Sequence, residues 1–137
     1  MRLRVLVLGL SFFAVAVAVA VEPYVAAGHT PNLKRPCTIV GTPGADSLGG
    51  TPASDVICGL GGNDTIGGGN GNDVIRGGPG SDRIQGDAGK DVLQGGDGSD
   101  WIWARDGTHD HVNGGRGYDR YRVDQSIDKR VSAEAAM

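Results

Sequence analysis

Aspartate recurs every nine residues along most of this chain. Seven members of the series are in step and two more follow after one extra residue: Asp46, Asp55, Asp64, Asp73, Asp82, Asp91 and Asp100, then Asp110 and Asp119. If the chain winds into regular coils, these carboxylates stack, and stacked carboxylates repel strongly unless a cation lies between them. Calcium suits such a set because it binds about six to eight oxygens, from carboxylates and backbone carbonyls alike. The spacing therefore predicts a series of calcium sites.

The elements that place these aspartates are short strands joined by glycine-rich turns. Two places after each Asp stands an apolar or aromatic residue: Leu48, Ile57, Ile66, Ile75, Ile84, Leu93, Ile102, Val112 and Tyr121. Triplets such as Asp-Val-Ile suit strands, in which alternate side chains face opposite sides. A turn after each strand lets two units complete a coil of eighteen residues, and the coils stack in parallel about 4.8 Å apart. We therefore predict an all-β fold, a right-handed parallel β-roll with a thin core of Ile, Leu and Val.

The turns of such a roll alternate between its two sides. Asp46 is therefore expected to stack on Asp64, Asp82 and Asp100, and Asp55 on Asp73, Asp91 and Asp110. Positions one, two and four of each unit are glycine because a Cβ would obstruct the turn there. Asn63 and Asn72 precede the Asp of their units, and we expect them to adopt the left-handed conformation that Asn tolerates.

Residues 68–75, 77–84 and 95–102 match every defined position of the pattern GGxGxDxUx. Over about residues 37–122 the chain thereby resembles the RTX, or hemolysin-type, calcium-binding repeat family. The resemblance implies that the Asp of one turn and the carbonyls of the turn two units away share each Ca²⁺. The implied carbonyl donors are Gly62, Gly69, Gly71, Gly78, Gly80, Gly89, Gly96 and Gly98.

Several units depart from the pattern. Thr42, Thr51, Leu60 and Asp87 replace the second glycine, and Ala53 replaces the glycine at position four. The unit that ends at Asp110 lacks its glycines at the corresponding positions. The sites among Asp64, Asp73, Asp82, Asp91 and Asp100 are therefore the strongest candidates, and Asp110 is the weakest.

The N-terminal segment has the pattern of a secretory signal peptide. Arg2 and Arg4 precede an uncharged apolar run, and Ala18-Val19-Ala20 supplies a cleavage site. The alternatives are cleavage after Ala27 or an uncleaved anchor, for which the run is marginal in length. We predict a signal peptide at 1–20, a flexible linker at 21–36, the roll at 37–122, and a C-terminal cap and tail at 123–137 that adds a strand or a short turn. The protein is expected to be extracellular, with no stable membrane insertion after cleavage.

Cys37 and Cys58 are an even pair in a chain predicted to be exported, which favours a disulfide. In perfect strand register the two residues are offset by about 10 Å along the strand. That exceeds the usual Cα reach of a disulfide, about 7 Å. The bond therefore requires the first coil to slip or kink, and it would clamp the N-terminal edge of the roll.

Composition narrows the function classes. The chain has 137 residues, of which 25 are glycine, only 5% are aromatic, and the net charge is −3. The acidic balance disfavours a nucleic-acid partner, and the scarce apolar bulk predicts folding coupled to metal binding. A disordered linker would not need Ile in register. No catalytic motif is present, and His109 and His111 point to opposite sides of a strand, so we predict a non-enzymatic protein.

The main hypothesis is a secreted protein that binds several Ca²⁺ ions and folds as it binds them. Trp101 and Trp103 flank the inward-facing Ile102, so both rings face outward, where they can stack on sugars or pack under the C-terminal segment. The alternative function is accordingly an extracellular adhesin or polysaccharide-binding module that uses this outer face. The partner at the cell surface is not specified by the sequence.

Overall fold

The computed structural model describes residues 35–124 and 128–131, and their regular structure is entirely β. Eleven strands lie in these residues: β1 Ile39–Val40, β2 Ser47–Gly49, β3 Val56–Cys58, β4 Thr65–Gly67, β5 Val74–Pro79, β6 Arg83–Gln85, β7 Val92–Asp97, β8 Trp101–Ala104, β9 His111–Arg116, β10 Arg120–Val123 and β11 Lys129–Val131. Among these residues there is no helix of sufficient length and apolar character to cross a membrane.

Successive strands alternate between two parallel sheets. The odd-numbered strands form one sheet in the order β1-β3-β5-β7-β9-β11, and the even-numbered strands form the other in the order β2-β4-β6-β8-β10. Ile57 pairs with Ile75, and Ile66 pairs with Ile84, so each coil takes eighteen residues as predicted. The structure is thus a β-solenoid of about five coils. The extra residue before Asp110 is absorbed in a turn, since Leu93 still pairs with Val112.

One aliphatic side chain per unit fills the space between the two sheets. The buried cluster is formed by Ile57, Ile66, Ile75, Ile84, Leu93, Ile102, Ala104 and Val112, with Ile39, Leu48, Tyr121 and Val123 packed against it at the ends. The residues predicted to face inward do so. The end members are only partly buried because no further coil covers them.

A second, smaller cluster lies on the outer face of the odd-numbered sheet. Val56, Cys58 and Val74 are buried there, and Cys37 and Val92 pack against them. The segment before β1 therefore covers part of this face. The sequence pattern did not predict this contact, because the outward positions of a strand carry no periodic signal of what lies over them.

The predicted disulfide between Cys37 and Cys58 is present, with the Cα atoms 6.0 Å apart. The first coil has not slipped, because Ile39 still pairs with Ile57 and Val40 with Cys58. The chain bends at Thr38 instead. This kink turns Cys37 out of the strand direction and brings it to Cys58, so only the second of the two predicted distortions occurs.

The C-terminal segment, for which a strand or a short turn was predicted, contains β11, which pairs with β9 and continues the odd-numbered sheet. The predicted signal peptide, and the linker up to residue 34, lie outside the described residues. The same holds for residues 125–127 and for the tail at 132–137.

We predict that substitutions at inward-facing positions lower the stability of the fold much more than substitutions at outward-facing positions. Ile75 is fully buried, so Ile75→Ala should lower the free energy of unfolding by about 2–5 kcal/mol. Val40→Ala is the control, since Val40 is 55% exposed, and it should change stability by less than about 0.5 kcal/mol. Urea unfolding of both variants at saturating Ca²⁺ measures the difference. Equal losses would contradict the assigned core.

Candidate metal centre

The aspartates stack in two columns, one on each side of the roll. In each column the backbone N–H of one Asp donates to Oδ1 of the Asp one coil further, over 2.8–3.0 Å. The first column is Asp46, Asp64, Asp82, Asp100 and Asp119, and the second is Asp55, Asp73, Asp91, Asp110 and Asp128. The predicted stacking is confirmed. The predicted set did not include Asp128, although it stands nine residues after Asp119.

The second carboxylate oxygen divides these aspartates into two groups. Six of them bury Oδ2 with no hydrogen-bond partner in the described residues: Asp64, Asp73, Asp82, Asp91, Asp100 and Asp110. These residues are at most 3% exposed. A buried carboxylate oxygen without a partner is costly, and a cation is the partner that would best offset this cost.

The electrostatics of the columns point to the same need. Burial, with the neighbouring carboxylates of Asp110 and Asp73 adding to it, raises the pKa of Asp91 to about 7. Burial likewise raises the pKa of Asp100 and of Asp110 to about 6. The pKa values of Asp73 and Asp82 are raised for the same reason. Without a cation, burial thus disfavours the charged form of these carboxyls.

The glycines of the turns place backbone next to these carboxylates. The eight glycines implied as carbonyl donors all have positive φ: Gly62, Gly69, Gly71, Gly78, Gly80, Gly89, Gly96 and Gly98. At Gly80 a Cβ would overlap the carbonyl oxygen of Gly62, one coil earlier. At Gly77, the first position of its unit, a Cβ would run into Oδ2 of Asp82. Glycine is thus required where carbonyls and carboxylates of successive coils meet.

The prediction for Asn63 and Asn72 is wrong. Neither has positive φ; among the described residues other than glycine, Leu60 and Asp87 do. Instead, Asn63 Oδ1 accepts the backbone N–H of Ser81 at 2.8 Å, and Asn72 Oδ1 accepts that of Lys90 at 2.9 Å. These side chains tie one turn to the next coil.

The chemistry of the donors fits calcium. In the described part of the chain, no group of three or more His, Cys, Asp or Glu side chains is placed to hold a metal ion. A metal site among these residues would therefore need backbone carbonyls as well as carboxylates. A hard cation such as Ca²⁺ accepts both kinds of oxygen, whereas Zn²⁺ would favour His or Cys.

Comparison with known families decides the assignment. The family model of the RTX calcium-binding nonapeptide repeat matches the chain in four copies, over residues 38–66, 67–102 and 85–121. The chain belongs to the RTX calcium-binding repeat family. No curated protein and no solved structure matches it. The family match confirms the resemblance seen in the sequence, and the stacked coils confirm the predicted parallel β-fold.

The RTX aspartates at the ends of the columns differ from the six in the interior. Oδ2 of Asp46 and of Asp55 accepts hydrogen bonds from a threonine of the same turn. Oδ2 of Asp119 accepts one from the Tyr121 hydroxyl at 3.3 Å. The nine predicted aspartates therefore stack in the same way, but Oδ2 has a hydrogen-bond donor in three of them and none in the other six.

The other candidate groups lie away from the columns or take different partners. Trp101 is 42% exposed on the outer face of β8, as predicted, but the Arg120 guanidinium lies 5.1 Å from its ring centroid and Trp103 lies 5.6 Å from it. These contacts occupy ring surface that a sugar would need, so the polysaccharide alternative is not favoured. His109 lies in an exposed turn and His111 begins β9.

The raised pKa values predict an unusual pH dependence for the metal-free roll. A carboxyl whose pKa is higher folded than unfolded stabilises the fold fully below about pH 4, and that stability is lost as the pH rises towards about 7. In chelator, the far-ultraviolet β signal of the roll should therefore be greater at pH 5 than at pH 7.5.

Asp91→Asn tests the source of this effect, because the amide keeps the hydrogen bond from Asp73 and removes the charge. In chelator at pH 7.5 this variant should retain more β signal than the natural chain, and its signal should depend less on pH. Asp97→Asn, on an exposed side chain, is the matched control. A metal-free β signal that rises between pH 5 and pH 7.5 would refute the assignment.

Proposed function

We propose that this RTX protein is an extracellular, non-enzymatic calcium-binding module that folds as it binds several Ca²⁺ ions. The observation that carries the proposal is the set of six buried Oδ2 atoms without partners in the described residues. Bound Ca²⁺ would supply positive charge between stacked turns. The proposed ligands are the side chains of Asp64, Asp73, Asp82, Asp91, Asp100 and Asp110 and the carbonyls of the eight positive-φ glycines from Gly62 to Gly98.

Coupling of folding to binding is supported by the balance of forces in the roll. The strands from β3 to β9 each bury only one or two aliphatic side chains, while each interior turn buries a carboxylate. Apolar burial of this size must offset the ordering of the chain and the desolvation of the charges. A ligand that binds only the folded state then contributes its binding free energy to stability.

An extracellular location is supported by two features of the chain. The N-terminal pattern is that of a secretory signal peptide, and the disulfide between Cys37 and Cys58 suits an oxidising compartment. Extracellular modules bind calcium weakly, with Kd values of about 10⁻⁴–10⁻³ M, which matches the supply outside cells. The absence of catalytic motifs in the sequence supports a binding role.

A calcium titration of the full chain tests the proposal. Far-ultraviolet circular dichroism in chelator should show little β signal at pH 7.5, and Ca²⁺ should restore it while Mg²⁺ at the same concentration does not. Asp82→Asn should weaken calcium binding by about tenfold or more, because the site loses a charged ligand. Asp97→Asn should leave binding unchanged. A β signal indifferent to Ca²⁺ would contradict the proposed function.

A further inference from the structure

The first coil satisfies its carboxylates with protein groups. Thr51 donates both its backbone N–H, at 2.7 Å, and its hydroxyl, at 2.8 Å, to Oδ2 of Asp55. Thr42 makes the same pair of bonds to Oδ2 of Asp46, at 2.5 and 2.9 Å. The hydrogen bonds from Thr51 lower the pKa of Asp55. By contrast, burial raises the pKa of the interior aspartates Asp73 and Asp82. A single threonine thus fills the position at which an interior Oδ2 has no partner.

These two turns also have a different backbone. Both read Thr-Pro-x-x-Asp, at 42–46 and 51–55. In interior turns, the second and fourth positions have positive φ, for example at Gly78 and Gly80. Neither threonine, nor Gly44 or Ala53 at position four, has positive φ. The threonine turns therefore lack the conformation that interior turns use to direct their backbone between coils.

Further contacts hold the first coil together independently of any ion. The disulfide between Cys37 and Cys58 closes it. Thr38 exchanges hydrogen bonds with Val56: its N–H donates to the carbonyl at 2.7 Å, and its hydroxyl accepts from the amide at 2.9 Å. The coil that ends at Cys58 thus has covalent and polar links of its own.

We propose that Thr42 and Thr51 take the place of the calcium ion at Asp46 and Asp55, so that the first coil, residues 37–58, is a calcium-independent N-terminal cap. The proposal rests on the proposed function, because it separates turns that need an ion from turns that do not. The cap presents β2 and β3 as ordered edges on which β4 and β5 stack when calcium binds. Asp46 and Asp55, predicted as ligands from their spacing, are then structural acceptors.

The first test measures order without metal. Hydrogen exchange of the full oxidised chain in chelator should show fast exchange from residue 65 onward. The amides whose acceptors lie within the first coil should be protected: Thr38, Gly41, Thr42, Thr51 and Val56. Thr51→Val removes the hydroxyl and should speed exchange in 51–58 by about tenfold, because a charged acceptor loses a donor. Thr51→Ser should restore protection, and Thr65→Val, at an exposed position on β4, should leave it unchanged. Fast exchange throughout 38–58 would overturn the cap.

The second test counts ions by equilibrium dialysis. Asp55→Asn should leave the number of bound Ca²⁺ ions unchanged, whereas Asp82→Asn should reduce it or its affinity. The double variant Thr51→Gly with Ala53→Gly gives residues 50–55 the same sequence as residues 77–82, so it should bind one more ion and lose protection in chelator. Loss of an ion in Asp55→Asn would overturn the inference.

The two proposals fail in different ways. If the natural chain bound no calcium, the proposed function would be overturned, and the exchange experiment in chelator would still decide whether 38–58 is an ordered cap. If calcium bound normally and Asp55 proved to be a ligand, the function would stand and the cap would not.

Discussion

The structure depends on bringing like charges together at the spacing of stacked β-strands. Winding the chain every eighteen residues places one carboxylate above another in each column, and burial removes the water that would screen them. The same winding makes the aliphatic core, because the inward residue follows each Asp at a fixed distance along the strand. The core and the charge columns therefore form together. The proposed cation between the turns would relieve the repulsion that the fold itself creates.

The two oxygens of each interior carboxylate have separate tasks. Oδ1 accepts the backbone N–H of the Asp one coil earlier, which holds the side chain in place, and Oδ2 stays available to an ion. Asp suits this division because its side chain is short enough to serve the backbone of its own column. The chain has 14 Asp and 2 Glu in keeping with that requirement. Glycine at positions one, two and four then keeps the approaching backbone free of side chains.

The ends of the columns show what happens when the pattern changes. A threonine at the second position of the unit donates two hydrogen bonds to Oδ2, and no residue of such a turn has positive φ. At the other end, the Tyr121 hydroxyl and the backbone N–H of Asp124 donate to Asp119 and Asp128. The first and last aspartates of a column have a neighbouring aspartate on one side only. Protein donors therefore take the place of the missing neighbour at the ends of the described columns. These departures from the repeat are better read as terminations than as weakened metal sites.

The sequence by itself determined the period, the two parallel sheets, the inward residues such as Ile75 and Ile84, and the pairing of each Asp with the one eighteen residues on. These follow from local chemistry repeated many times, so that one solution satisfies every unit. It did not determine features that occur once: the bend at Thr38 that lets Cys37 reach Cys58, the turn that absorbs the residue inserted before Asp110, or the interaction of Arg120 with Trp101. Nor did the spacing distinguish Asp55 from Asp73. That difference depends on whether a donor stands within reach of Oδ2, which is a matter of turn conformation, and only the tertiary structure decides it.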